Sequence, residues 1–344
     1  MDQFVLPWAA RSRDWRAPTA MLALIAVAAL ALPLAACGSP GAGTLTSVTI
    51  GLTYVPDVQF APFYVAAAKG YYRDAGLNVT FHHGIETNEF GLLAAGKEDA
   101  IFAGGDETLE ARSQAGIPLV DVATIFQKYP VVLVVPAASP IHTAADLRGH
   151  SIGVPGPYGA TYTGLLALLH GAGLSKTDVT IKNIGFTQVT ALLTHQVDAV
   201  MGYANNEPIQ LAAQGFAVRA INIWDVQPLV SNGLVVLSGE LKAHPDVVKA
   251  IVKATLQGVR ETMTNPTEAV RISASYVPGL DQPAKAASAL TVLQATIPLW
   301  QGASQLGYND PATWQSMATF LGSAGLVHGT VNPAPAFSNS YLPS

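Results

Sequence analysis

From Ser47 onward the chain alternates short runs of β-branched and aliphatic residues with longer stretches rich in Ala and Leu, the pattern of βα units on a mainly parallel sheet. The runs predict strands at Ser47 to Leu52, Asn78 to His82, Ala100 to Ala103 and Leu119 to Phe126. Between them lie helices at Ala61 to Lys69, Thr87 to Ala94 and Asp106 to Gln114. Gly70, Gly76, Gly96 and Gly116 stand where helix ends and tight turns want a residue tolerant of positive φ. Val131 to Val135, closed by Pro136, reads as an apolar strand at a crossover. A second block then runs through strands at Ser151 to Val154, Val179 to Ile184, Ala199 to Tyr203 and Val218 to Ile223, with helices at Ala160 to His170, Gln188 to Thr194 and Glu207 to Gln214. Leu234 to Leu237 reads as a strand returning to the first block. The C-terminal third is almost strandless, with helical stretches at Pro245 to Met263, Thr267 to Ser275, Pro283 to Gln294 and Pro311 to Leu321. The expected architecture is α/β, with two lobes joined by two crossings: 47–136 plus 230–330 form the first lobe, 137–229 the second, and 331–344 a C-terminal tail. In such folds the loops at the carboxyl ends of the parallel strands face the crevice, and ligand groups are sought there.

The start of the chain breaks this pattern. Arg11, Arg13 and Arg16 precede Ala20 to Leu32, an almost wholly apolar run of 13 residues that is short for a membrane span. Small residues come next, so 1–36 read as an export signal. Leu34-Ala35-Ala36-Cys37 resembles a bacterial lipobox, a signal cut before the cysteine, which then carries lipid. The single cysteine of the chain stands there, and 37–46 reads as a flexible tether rich in Gly, Ser, Pro and Thr.

Composition narrows the choice of function. Half of the 344 residues are hydrophobic and 12% are charged, which excludes a disordered tail, a coiled coil or a fibre. The formal net charge is -5, and without 1–36 there remain 15 basic against 21 acidic groups, a net of -6. No window clusters the Lys and Arg that phosphate-backbone binding needs, so nucleic acid is not an expected partner. An exported body is also no place for nicotinamide, ATP or glutathione chemistry.

The strand ends carry the candidate chemistry. After the first strand, Tyr54 to Tyr64 holds four aromatics: Phe63 and Tyr64 begin an apolar helix and read as core, whereas Tyr54 and Phe60 flank a Pro56-Asp57 turn where a ring can stack on a planar ligand. Gly104-Gly105-Asp106-Glu107 follows the third strand, with Gly105 giving a ligand access to the backbone and Asp106 placed either as a helix N-cap or as a ligand acceptor. In the second lobe, Gly153, Gly156 and Gly159 miss the dinucleotide and P-loop spacings but set Tyr158 and free N–H donors at a helix start. Tyr203-Ala204-Asn205-Asn206-Glu207 repeats the strand-end to helix-start arrangement. Glu207 either favours its own helix N-terminus or accepts from the N–H groups of a heterocycle. Trp224-Asp225 adds a ring and an acceptor at the same rim. Gly149-His150-Ser151-Ile152-Gly153 has GxSxG spacing, but its Ser151 opens a strand instead of standing on a strand-to-helix turn, so it is no nucleophile elbow. With no HExxH motif and no defensible acid–base carboxylate pair, no enzyme is expected. His82 and His83 point to opposite faces of a strand and cannot chelate together, so no metal site is expected either. His170 and His195 read as ordinary surface residues.

The segment VTIGLTYVPDVQFAPFYVAAAKGYYRDAGLNV, with "GGDE", "ADLRGHSIGVPG" and "GYANNEP" after it, resembles the extracytoplasmic solute-binding proteins of ABC importers. The resemblance spans about Val48 to Ser275, and the branch is the one related to thiamine-pyrimidine synthase and to nitrate, sulfonate and taurine binders. It implies a two-lobed type II clamshell that captures a small ligand at its hinge and delivers it to a permease and its ATPase. It also implies a monomer outside the cytoplasm, anchored through lipid on Cys37 and needing no cofactor. The fungal synthase branch uses a Cys-rich motif and pyridoxal phosphate, and the folded body here has no cysteine. Tyr54 and Tyr203 to Glu207 match positions typical of thiamine-pyrimidine precursor binders, while Val58 to Ala66 more closely resembles the riboflavin-binding branch. The implied ligand is flat and nitrogen-rich, riboflavin ahead of a thiamine pyrimidine. The implied site is Tyr54, Asp57, Phe60, Gly105, Asp106, Tyr158, Tyr203, Asn205, Glu207 and Trp224.

Overall fold

Residues 44–84, 86–302 and 304–343 are described by the structure, a computed structural model. The export signal and Cys37 lie outside the described residues. Strands β1 Thr46–Leu52, β2 Leu77–His83, β3 Ala100–Gly104 and β4 Leu119–Thr124 precede β5 Val131–Pro136, β6 Ser151–Val154, β7 Thr180–Asn183, β8 Ala199–Tyr203, β9 Val218–Asn222 and β10 Asn232–Leu237. They form two five-stranded sheets, ordered β2-β1-β3-β10-β4 and β7-β6-β8-β5-β9. The two orders follow one scheme. Each sheet is parallel except for one inserted strand that arrives from the other lobe: β10 runs antiparallel to β3 and β4, and β5 antiparallel to β8 and β9. These are two mixed α/β lobes of the type II binding-protein fold.

Helices α1 Ala61–Ala68, α2 Tyr71–Asp74, α3 Glu86–Ala94 and α4 Gly105–Gln114 belong to the first block, and α5 Gly159–Gly171, α6 Gln188–Leu193 and α7 Glu207–Ala213 to the second. Then come α8 Ser238–Ala243, α9 Pro245–Thr264, α10 Pro266–Ser273, α11 Pro283–Trp300 and α12 Pro311–Ser323. Val248, Ile251, Val252, Leu256 and Val259 make one apolar stripe on α9, and it buries itself with Ile50, Leu52, Phe63 and Phe102 in the first core. A Cβ at Gly258 would collide with the Pro62 carbonyl, so glycine is what lets α9 lie directly on α1. Gly70, Gly76, Gly96 and Gly116 all take positive φ.

Three sequence expectations change. The sequence pattern places Val131–Pro136 in the first lobe, yet it pairs with β8 and β9. A run of apolar residues buried on both faces suits the interior of either sheet, so its pattern alone does not select one. Pro311–Ser323 is expected there too, but Trp314, Met317, Phe320 and Leu321 pack with Leu165, Leu168 and Met201 in the second core. Of the expected C-terminal tail, residues 331–343 are folded back onto the body. Phe337 stacks on Trp314 with ring centres 5.2 Å apart and bridges Asp121 of β4, and Tyr341 packs against the first core. The chain therefore passes between lobes at 125–130, at 223–231 and again at 301–310, before returning along 337–341.

Candidate functional site

Strand β1 ends at Leu52, and the turn after it holds Tyr54 outward, 42% exposed. Asp57 caps the short turn Val58–Phe60 by accepting from the Gln59 N–H at 3.0 Å. Behind Tyr54 stands His83. Its Nδ1 lies 3.1 Å from the Tyr54 carbonyl and its Nε2 3.1 Å from the Tyr64 hydroxyl. A carbonyl only accepts, so Nδ1 carries the proton and Nε2 receives the hydroxyl. Burial lowers the His83 pKa, which keeps this neutral tautomer in place. Tyr64 in turn stacks on Tyr276 at 4.2 Å. Phe60, expected from the sequence to touch ligand, is set deep beneath this turn. It is 2% exposed and sits edge-on to His83 and Phe102, so it belongs to the floor beneath Tyr54.

From the second sheet, β8 delivers Tyr203, and the following turn brings Glu207 back so that its Oε2 accepts from the Tyr203 N–H at 2.6 Å. Glu207 is buried at the start of α7, and burial raises its pKa. The Tyr54 hydroxyl pKa is raised by burial, then by the charge of Asp57, then by that of Glu207. Tyr54 from one lobe and Glu207 from the other are thus close enough to interact electrostatically. Asn205 is buried; its Nδ2 donates to Thr296 Oγ1 of α11 at 2.7 Å, while its Oδ1 has no hydrogen-bond partner.

At the crossing, Tyr129 joins the lobes. Its hydroxyl lies 2.7 Å from Asp106 Oδ2 and 3.0 Å from the Ala160 carbonyl of α5. One hydroxyl proton cannot serve both acceptors, so the arrangement is completed when Asp106 is protonated and donates to Tyr129. Burial and the charge of Glu107 push the Asp106 pKa up to about 7, which agrees with that proton. Asp106 is not the N-cap of α4; Gly104 holds that place, and Asp106 lies inside the first turn. Gly105, expected to give a ligand access to the backbone, packs against a side chain. A Cβ there would meet the Val230 side chain 2.5 Å away, so the glycine lets α4 press against the second crossing. Burial, with Asp106 and Glu107, lifts Glu110 to about 8 beside Thr163 of α5.

Tyr158 is 48% exposed at the uncapped start of α5, its ring folded over Gly156. Trp224 is partly buried where the first core meets the second sheet's outer cluster. Among the described residues no ring pair joins Tyr54 to Tyr158 or to Trp224. The predicted positions thus divide into a rim of Tyr54, Asp57, Tyr203, Asn205 and Glu207, a crossing group around Asp106, and two rings set apart. His83, Tyr129 and Thr296 escaped the sequence reading. An adjacent His pair was the one signal available for the first, and an apolar stretch between strands gave none for Tyr129.

The family model described as NMT1/THI5 like matches residues 57–269. The riboflavin-binding protein RibY of Chloroflexus aurantiacus is 37% identical over 320 residues, covering 91% of each chain. A formylaminopyrimidine-binding protein of Halalkalibacterium halodurans is 27% identical over 66% of this chain and 70% of its own. Among solved structures, the periplasmic aliphatic sulphonate binding protein SsuA of Escherichia coli superposes with a TM-score of 0.68 at 17% identity, covering 84% of this chain and 91% of that one. That likeness concerns the fold.

Proposed function

Because the chain belongs to the NMT1/THI5-like family, we propose that it is the substrate-binding lipoprotein of an ABC importer, held outside the cytoplasm by lipid on Cys37, which captures riboflavin and passes it unmodified to a permease and its ATPase. The flat ring would lie against Tyr54, with Tyr158 or Trp224 closing over it from the second lobe. Asp57, Tyr203, Asn205 and Glu207 would then meet its polar edge. Asp106, at the crossing, keeps its buried Oδ1 without a hydrogen-bond partner, and Gly105 packs against Val230 beside it. The observation that supports this reading best is the sign of the rim. Its carboxyl groups, Asp57 and Glu207, would repel a sulfonate or nitrate when ionised, whereas N–H groups of a heterocycle would meet acceptors there.

An aminopyrimidine is the second reading, supported by the formylaminopyrimidine-binding relative and by the unpartnered Asn205 Oδ1, which suits a small amide or amine donor. Titration of ligand-free protein by quenching of flavin fluorescence separates the two. Saturable one-to-one quenching, with the released compound chromatographically identical to free riboflavin, is expected. Binding of an aminopyrimidine without any flavin response would move the ligand and keep the site. Binding of neither would end the vitamin-carrier reading. For the anchor, a Cys37→Ser form should leave the membrane fraction; full retention after correct processing would remove the lipid.

A further inference from the structure

Outside the cleft, three elements aim side chains at one point on the opposite face of the first sheet. Strand alternation sends His83 toward Tyr54 and His82 the other way, against α3 and the turn before β3. There His82 Nδ1 lies 2.8 Å from Glu98 Oε1 and 3.2 Å from Glu89 Oε2. The two carboxyl groups are buried, Glu89 at 0% and Glu98 at 3% exposure, and Glu89 Oε1 and Glu98 Oε2 have no hydrogen-bond partner. The ion pairs described for both glutamates are to His82 alone. One imidazole nitrogen and a carboxylate oxygen from each glutamate lie within 4.8 Å of one another.

The surroundings keep this space open. A side chain at Gly51 or at Gly84 would run into the Glu98 and Glu89 carboxylates, so both backbones approach as only glycine allows. His82 is 49% exposed and gives the buried oxygens a path to water. Two facing carboxylates out of solvent need a positive charge between them, and a half-exposed imidazole supplies at most one. A mixed nitrogen and oxygen donor set of three matches the preferences of borderline first-row divalent ions and not those of calcium or magnesium.

We propose that His82, Glu89 and Glu98 form a binding site for a divalent first-row transition-metal ion such as zinc, which ties α3 and the turn before β3 to the end of β2. The site is separate from the vitamin cleft and does not depend on that reading. The test is a calorimetric titration of Zn2+ alone into chelator-treated, ligand-free protein, with competition against a chromophoric chelator. One equivalent should bind, the ion should raise the melting temperature, and both Glu98→Gln and His82→Gln should weaken binding at least tenfold. His170→Gln, on the exposed face of α5, should bind like the parent. The metal-free His82→Gln form loses the positive partner of the two glutamates and should melt below the parent, so its circular dichroism spectrum reports folding, and Glu98→Gln, which keeps the imidazole, is the second variant. Binding unchanged in both site variants, or no saturable binding by the folded parent, would overturn the site and leave a shared proton between the two glutamates.

Discussion

At the scale of single residues, the proposed ligand contacts rest on Tyr54 for area and on Glu207 for polarity. Stacking contributes about 0.5–1.5 kcal/mol beyond area burial, so Tyr54→Ala should weaken riboflavin about two- to tenfold in fluorescence quenching without moving the melting temperature of the ligand-free protein. Glu207→Gln should weaken it comparably; parental affinity in both would take these residues out of the site. Asp106 sets a pH dependence. Its folded pKa of about 7 stands above the ordinary carboxyl value of 3.8, so the folded state keeps a proton that the unfolded chain releases. Stability should therefore fall as pH rises from about 4 to about 7 and then level off. Asp121, raised to about 7 by burial, acts with the same sign. Asp106→Asn mimics the protonated acid and should flatten part of this slope in melting curves between pH 5 and 8; an unchanged slope would place the titration elsewhere. The sequence marked Asp106 and Glu207 as either caps or ligand groups. It could not choose because the choice depends on Tyr129 and Tyr203, which only the fold brings alongside. Phe60 and Tyr54 looked alike for the same reason: six residues apart, one ring points into the core and the other out of it.

At the scale of elements, strands and helices were legible where local signals agree, as in β1 to β4 with positive-φ glycines at their turns. Which sheet a strand joins was not, as Val131–Pro136 demonstrates, and neither was the core chosen by the apolar face of α12. The most informative contact between elements links the turn after β8 to α11. Thr296 Oγ1 accepts from Asn205 Nδ2 and donates to the Val292 carbonyl at 2.8 Å. Thr296→Val keeps the volume but leaves a buried amide unpartnered, at a cost of about 1–3 kcal/mol. If this bond belongs to the closed arrangement, the variant should bind riboflavin more weakly with a faster release rate in stopped-flow traces. Equal release rates would mark the bond as part of the scaffold alone.

For the whole molecule, contacts from both lobes around one ligand mean that binding shifts the population toward a closed state. Small-angle scattering should give a smaller radius of gyration with riboflavin than without it, and equal radii at calorimetric saturation would count against closure. The extent of that motion follows from the C-terminal segment. Two passages of chain, like two pins side by side, would leave the lobes free to bend and also to shear and twist. Here α12 is seated in the second core, while Asn309 before it bonds Asp121 of the first sheet and Tyr341 after it reaches the Leu241 carbonyl. The C-terminal segment thus works as a strap passed across the joint and buckled on both sides, which favours a single rotation axis and would present each ligand to the proposed permease on a face of fixed orientation.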